Sequence, residues 1–170
     1  MEVYLFRHAD AVDIGEAGAT CDAERVLSDK GRKQAKMVAQ ALRAMGCQPE
    51  IIATSPLPRA RETADIAGGI LGCEPEILDL LAPGGGDLPE LAGWIGRQKA
   101  GALMLVGHLP DLPDLGVYLA SGSTAAGLSL KKAGVLCISM EPGASPGEGA
   151  IEWLIQPRNL KGLTRDTSEP

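Results

Sequence analysis

The run Ala102 to Val106 (Ala-Leu-Met-Leu-Val) is apolar at every position and leads at once into Gly107 and His108. Consecutive apolar residues without alternation make a strand buried on both faces, the way strands of a parallel sheet read when helices cover both sides. The remaining segments supply the parts of such a sheet. Glu2 to Phe6 is a β-rich strand running into Arg7 and His8. Ser28 offers an N-cap to a helix with apolar positions at Ala35, Val38, Ala39 and Leu42 and a stop at Gly46. Ile51 to Thr54 is a second strand, followed by a helix from about Arg59 to Leu71 that presents Ala60, Ala64, Ala67 and Leu71 on one face and stops at Gly72. Glu76 to Leu78 reads as a third strand, Pro83 to Asp87 as a loop, and Leu88 to Gln98 as a helix with Leu88, Leu91, Ala92 and Ile95 on its apolar face. Pro110 to Ala120 is helical provided Pro113 falls in the first turn.

The C-terminal third changes character. Gly134 to Met140 and Ile151 to Gln156 are strand-like and separated by the Gly/Pro-rich connection Glu141 to Ala150, a pattern that makes an antiparallel hairpin. The expected fold class is α/β: a three-layer α/β/α sandwich with a mostly parallel central sheet and the C-terminal hairpin at one edge. A chain of 170 residues suits one domain, over 1–163, with Thr164 to Pro170 as a polar C-terminal tail.

Charge narrows the function. Sixteen Lys and Arg against 22 Asp and Glu give a formal charge of −6, and no basic block appears. That disfavours nucleic acid and anionic membrane as partners, and leaves any anionic ligand to a local cluster. Apolar runs fall far short of the roughly 18 residues of a spanning helix and no signal pattern opens the chain, so the expected location is cytoplasmic. Cys21, Cys47, Cys73 and Cys137 form no Cys-x-x-Cys pair. They read as reduced thiols, at least three of them buried as small hydrophobes.

Ligands of open parallel sheets bind outside the carboxyl ends of the strands. Both histidines of the chain, His8 and His108, follow strands at that edge, Arg7 precedes one of them, and Arg59 opens the helix after the second strand. Two guanidinium forks and two imidazoles converging there make a phosphoryl-binding set, in which an imidazole can also serve as nucleophile. Arg61 reads instead as a solvated helix residue. Gly84-Gly85-Gly86 lacks the following Lys-Ser/Thr of a phosphate loop and reads as a connector. Asp10, Asp13 and Glu16 read as a solvated acidic loop rather than a metal cluster.

Several motifs carry a family resemblance. Arg7-His8-Ala9 after the first strand, Leu27-Ser28 through Gly31 to Gln34-Ala35, Thr54-Ser55-Pro56-Leu57-Pro58-Arg59-Ala60 through Thr63-Ala64, and Gly107-His108-Leu109-Pro110 resemble the histidine phosphatase superfamily, the phosphoglycerate-mutase-like fold. The short length, His-Leu-Pro after the late strand, and Gln156-Pro157-Arg158-Asn159-Leu160-Lys161 look most like its SixA-type phosphohistidine phosphatases. The resemblance implies His8 as the nucleophile that takes the phosphoryl group, with Arg7, Arg59 and His108 binding its oxygens. It implies no metal and no cofactor. Its implied partner is a histidine-phosphorylated protein, a phosphotransfer domain or phosphocarrier, with inorganic phosphate as product.

The sequence departs from the family pattern twice. Ala9 stands where the signature has glycine, adding a methyl group beside the nucleophile and restricting its backbone. Where many members carry a carboxylic acid that protonates an alkoxide leaving group, Leu80-Leu81-Ala82 is apolar, with Asp79 and Asp87 the nearby candidates. An imidazole leaving group needs less proton assistance than an alkoxide, so the expected substrate is phosphohistidine. The alternatives are a phosphatase of small phosphate monoesters and a non-catalytic module that binds phosphohistidine or phosphate. Asn159 and Lys161 have no assigned role.

Overall fold

A computed structural model describes residues 1–125 and 127–160. Four strands run parallel: β1 (Glu2–Arg7), β2 (Ile51–Thr54), β3 (Pro75–Ile77) and β4 (Ala102–Gly107). Two more, β5 (Val135–Ser139) and β6 (Ala150–Ile155), join antiparallel. They form one mixed sheet in the order β3-β2-β4-β1-β5-β6. The helices are α1 (Asp29–Ala44), α2 (Pro58–Leu71), α3 (Leu88–Gly96), α4 (Asp111–Ser121) and α5 (Pro157–Leu160).

The period of two along each strand splits the core into two layers. Tyr4 and Phe6 of β1, with Met104 and Val106 of β4, pack with Val38 and Leu42 of α1 and Ala60, Ala64 and Ala67 of α2. Val3, Leu5, Leu103 and Leu105 pack on the opposite face with Leu91 and Ile95 of α3 and Leu112 and Leu115 of α4. Strand β4, central and covered on both sides, is buried at every position, as its unbroken apolar run requires. This is the three-layer α/β/α arrangement expected from the sequence.

Element ends follow local chemistry. The Ser28 hydroxyl caps α1 by accepting from Gly31 N–H at 3.0 Å, Pro58 opens α2, and Gly72 closes it in the left-handed region at φ 79°. Helix α3 stops at Gly96, two residues before the expected Gln98, as the backbone tightens: Arg97 N–H donates to Trp94 O at 3.2 Å and Gln98 N–H to Ile95 O at 3.0 Å, three residues back rather than four. Strand β3 sits one residue earlier than expected, since β2 pairs Thr54 with Ile77. Pro113 lies in the first turn of α4. Cys47 and Cys137 are buried but Cys73 is only partly so and Cys21 is exposed, which corrects the expectation of three buried thiols. The expected tail, Thr164 to Pro170, and Lys161 lie outside the described residues. No described helix is long and apolar enough to cross a membrane.

One glycine is demanded by the site. A Cβ on Gly31 would stand 1.9 Å from the carbonyl oxygen of Asp10, so the first turn of α1 can lie against the loop leaving β1 only without a side chain there. Ser28 N–H donates to that same carbonyl at 3.0 Å and its hydroxyl to the Asp10 carboxylate at 2.8 Å. The residues after His8 are thereby tied to α1.

Candidate active site

Sheet register brings the two histidines together. Strands β1 and β4 are parallel neighbours with Arg7 opposite Gly107, so the next residue on each is a histidine, at the same level. His8 N–H donates to Gly107 O at 3.0 Å, and the two imidazole centroids lie 5.0 Å apart with planes inclined by 52°. On the other side of β4, Ser55 N–H donates to Val106 O at 3.0 Å, which places the end of β2 beside His108.

Each ring is oriented by its own strand exit. His8 Nδ1 lies 2.8 Å from the carbonyl oxygen of Ala9; a carbonyl only accepts, so Nδ1 carries the proton and Nε2 keeps the lone pair. The ring nitrogen that keeps an available lone pair is thus defined by the backbone. His108 Nε2 bonds Ser55 Oγ at 2.8 Å, leaving its buried Nδ1 without a protein partner. As an imidazolium it would donate Nε2–H to Ser55 and offer Nδ1–H to an external acceptor. Ala9 N–H donates to Thr63 Oγ1 at 3.1 Å, and that hydroxyl donates to Arg59 O at 2.7 Å, linking the β1 exit to α2.

Both histidines are held neutral. Burial first, then the neighbouring His108, Arg59 and Arg7, pushes His8 down to about 3, against the opposing bond to Ala9 O. Burial and then Arg59 push His108 down to about 4. Unfolded imidazoles titrate near 6.5, so below that pH the unfolded chain takes up protons that the folded site refuses. The resulting stability is complete above 6.5 and is lost as pH falls toward 4 and then 3. By pH 5 the loss is about 2 kcal/mol per imidazole. Thermal unfolding at pH 7 and pH 5 is expected to show a larger drop in melting temperature for wild type than for a His8→Gln, His108→Gln double variant; equal drops would contradict this origin.

The two arginines are placed differently. Arg7, at the end of β1, donates from one terminal nitrogen to Leu130 O at 2.9 Å, while its buried Nε has no protein partner. Arg59, 5% exposed at the start of α2, donates to Asp22 O at 2.6 Å and to Asp22 Oδ2 at 2.8 Å. Arg61, by contrast, is exposed. Among the described residues, the buried side-chain nitrogen and oxygen atoms left without a partner are Arg7 Nε and His108 Nδ1. Both belong to the quartet picked out in the sequence, and both suit donation to an anion.

Some sequence expectations need correction. Asp22, Ser55 and Thr63 were not singled out for the roles they play, since each acts through a contact with a residue far away in sequence. Asp10 is not a solvated acid: it is half-buried and held by Ser28 and by Lys132 Nζ at 2.7 Å. Asp13 faces Arg25 at 3.6 Å. Ala9 is fully buried, packs into the α1/α2 layer, and is not among the residues with positive φ, so the β1 exit accommodates its methyl group without needing glycine. Asp87 is engaged as the N-cap of α3, accepting from Glu90 N–H at 2.8 Å. Asp79 begins a short 3-10 turn, and neither carboxylate bonds to the quartet among the described residues. Asn159 accepts from Gln156 N–H at 2.9 Å, a structural role.

The chain is similar to known proteins over most of its length. The family model described as histidine phosphatase superfamily (branch 1) matches residues 3–83, a span that includes Arg7, His8 and Arg59. An uncharacterized protein of Picosynechococcus sp. is 43% identical over 140 residues, 80% of this chain and 83% of that protein. The phosphohistidine phosphatase SixA of Escherichia coli is 25% identical over 166 residues, covering 95% of this chain and 97% of SixA. A solved structure of the protein histidine phosphatase SixA complexed with tungstate matches with a TM-score of 0.81 at 25% identity, over 95% of this chain and 100% of that one.

Proposed function

The chain belongs to the histidine phosphatase superfamily, branch 1, and on that premise we propose that it hydrolyses phosphohistidine on a signalling or phosphocarrier protein through a covalent phospho-His8 intermediate. The observation that carries this reading is the pair of buried, unpartnered nitrogens of Arg7 and His108 grouped with a histidine whose Nε2 holds a lone pair. His8 Nε2 attacks phosphorus in line with the departing imidazole nitrogen; the new P–N bond forms as the substrate P–N bond breaks, and its electron pair leaves with the substrate ring, whose other nitrogen carries a proton so that it departs as neutral imidazole. The Nδ1–H to Ala9 O bond stabilises the positive charge that His8 gains. Arg7 and Arg59 neutralise charge on the phosphoryl oxygens, and His108, neutral, offers them its unpartnered Nδ1 as an N–H donor. Water then attacks phospho-His8, releasing inorganic phosphate and restoring the neutral imidazole. No step calls on a metal.

The leaving group discriminates between substrates. An alkoxide needs a proton in the transition state, whereas an imidazole is a far weaker base. The carboxylate bonded to the quartet among the described residues is Asp22, and the Arg25 and Arg59 guanidiniums hold it below the usual carboxylate range, ionised and unsuited to give a proton. The name of the SixA relative points to the same substrate class. In EDTA, kcat/KM for a histidine-phosphorylated carrier protein is expected to exceed that for an alkyl phosphate monoester such as glycerol 3-phosphate by about 100-fold or more. Preference for the monoester would favour a small-molecule phosphatase, and binding of the phosphoprotein without phosphate release would favour a non-catalytic reader.

A further inference from the structure

The wall of the site on the Arg7 side carries charge opposite to that of the chain as a whole. In a protein with a formal charge of −6, a cleft of about 540 Å³ is lined by Arg7, Lys30, Lys131, Lys132 and Arg158, with Asp10 its one carboxylate. Lys132 neutralises Asp10 at 2.7 Å. Lys30, Lys131 and Arg158 are exposed, and none of them pairs with a carboxylate among the described residues. A second hollow shares Arg7 and Lys131 with the first and adds the apolar side chains of Leu109 and Leu128. Leu109, directly after His108, is 43% exposed.

The cationic wall is held in place. Gln156, 6% exposed, accepts from Lys131 N–H at 2.9 Å and donates to Ser129 O at 2.7 Å. Arg7 donates to Leu130 O, and Ala133 N–H donates to His8 O at 3.1 Å. The segment bearing Lys131 and Lys132 is thereby pinned to the exit of β1 itself. Besides Arg7 of β1, the cations of this wall come from three separate places: the start of α1, the segment before β5, and α5. The phosphoryl group's own charge is met by the quartet, so cations spread over this area suit further negative charge on whatever carries the phosphoryl group.

We infer that this groove docks an acidic face of the phosphorylated protein, with Leu109 and Leu128 receiving an apolar patch beside the phosphohistidine. The inference rests on the phosphatase reading above and adds the surface and the charge of the partner. Complementary charge of this kind raises the association rate and lowers KM, and salt weakens it. The quartet is untouched, so bond breaking is not altered.

The test uses a Lys30→Glu, Lys131→Glu, Arg158→Glu variant with two probes: phosphoimidazole, and a histidine-phosphorylated phosphotransfer domain of net negative charge. Expected for the variant are a rise of about 10-fold or more in KM for the domain, little change in kcat, unchanged hydrolysis of phosphoimidazole, and loss of the salt dependence that wild type shows with the domain. Unchanged KM and salt dependence for the domain, with phosphoimidazole still hydrolysed, would overturn the docking surface and leave the phosphatase reading standing. Equal losses on both probes would also overturn it, because the substitutions would then be acting on the site. Failure of wild type to release phosphate from either probe would sink the phosphatase reading itself, and the docking inference with it.

Discussion

Replacing His8 by alanine is expected to lower phosphate release from a histidine-phosphorylated carrier by about 10⁴-fold or more, because the variant has no atom on which to form the covalent intermediate. The geometry makes this residue hard to replace from nearby. His108 is the other imidazole at the edge, but its Nε2 is engaged by Ser55 and it leaves β4 rather than β1. Its rings stand 5.0 Å from those of His8, close enough to bind the same phosphoryl group without occupying the same line of attack. The loss should therefore fall on kcat while oxyanion binding through Arg7, Arg59 and His108 persists. Rapid acid-free quenching with labelled substrate is expected to trap an acid-labile phosphoenzyme in wild type and none in His8→Ala. Turnover within about 10-fold of wild type would show that water attacks the substrate directly, and would end the covalent scheme.

How much of this was legible beforehand depended on the range of the interaction involved. The apolar run of β4 and the alternation on β1 announce their burial because they report only on which face meets the core. Arg7, His8, Arg59 and His108 were legible as a group because all four lie at or after strand ends, and a parallel sheet gathers its strand ends at one edge. Strand order was not legible: nothing in the residues of β4 says that it lies between β1 and β2, and that placement is what puts Ser55, His108 and His8 in sequence along the edge. Asp22 was equally hidden. Its loop is rich in Gly, Ala and acids, and only the folded structure carries it 37 positions along the chain to Arg59. Ala9 was legible as a departure from a family signature, but not how the β1 exit takes its methyl group without a positive φ.

Arg59→Ala is expected to reduce kcat/KM by about 10² to 10³, the usual cost of removing a donor aimed at developing charge, with a much smaller effect on thermal stability. The asymmetry comes from what Arg59 touches. Its side-chain partner, Asp22, has a side chain 59% exposed, so water can solvate the carboxylate once the guanidinium is gone. The phosphoryl group has no such substitute inside a site whose histidines are buried. Arg59→Lys should recover little, because an ammonium is a point charge and cannot hold Asp22 with two nitrogens while turning its remaining donors to phosphoryl oxygens. Asp22→Asn separates the two duties: it keeps the bond from Arg59 to the Asp22 carbonyl and removes the ionic one. A loss of about 10-fold or less is expected there, seen mainly in kcat, since the guanidinium stays in place but is less rigidly aimed. If Asp22→Asn instead binds phosphate more tightly and turns over faster, the carboxylate competes with substrate for Arg59 rather than positioning it.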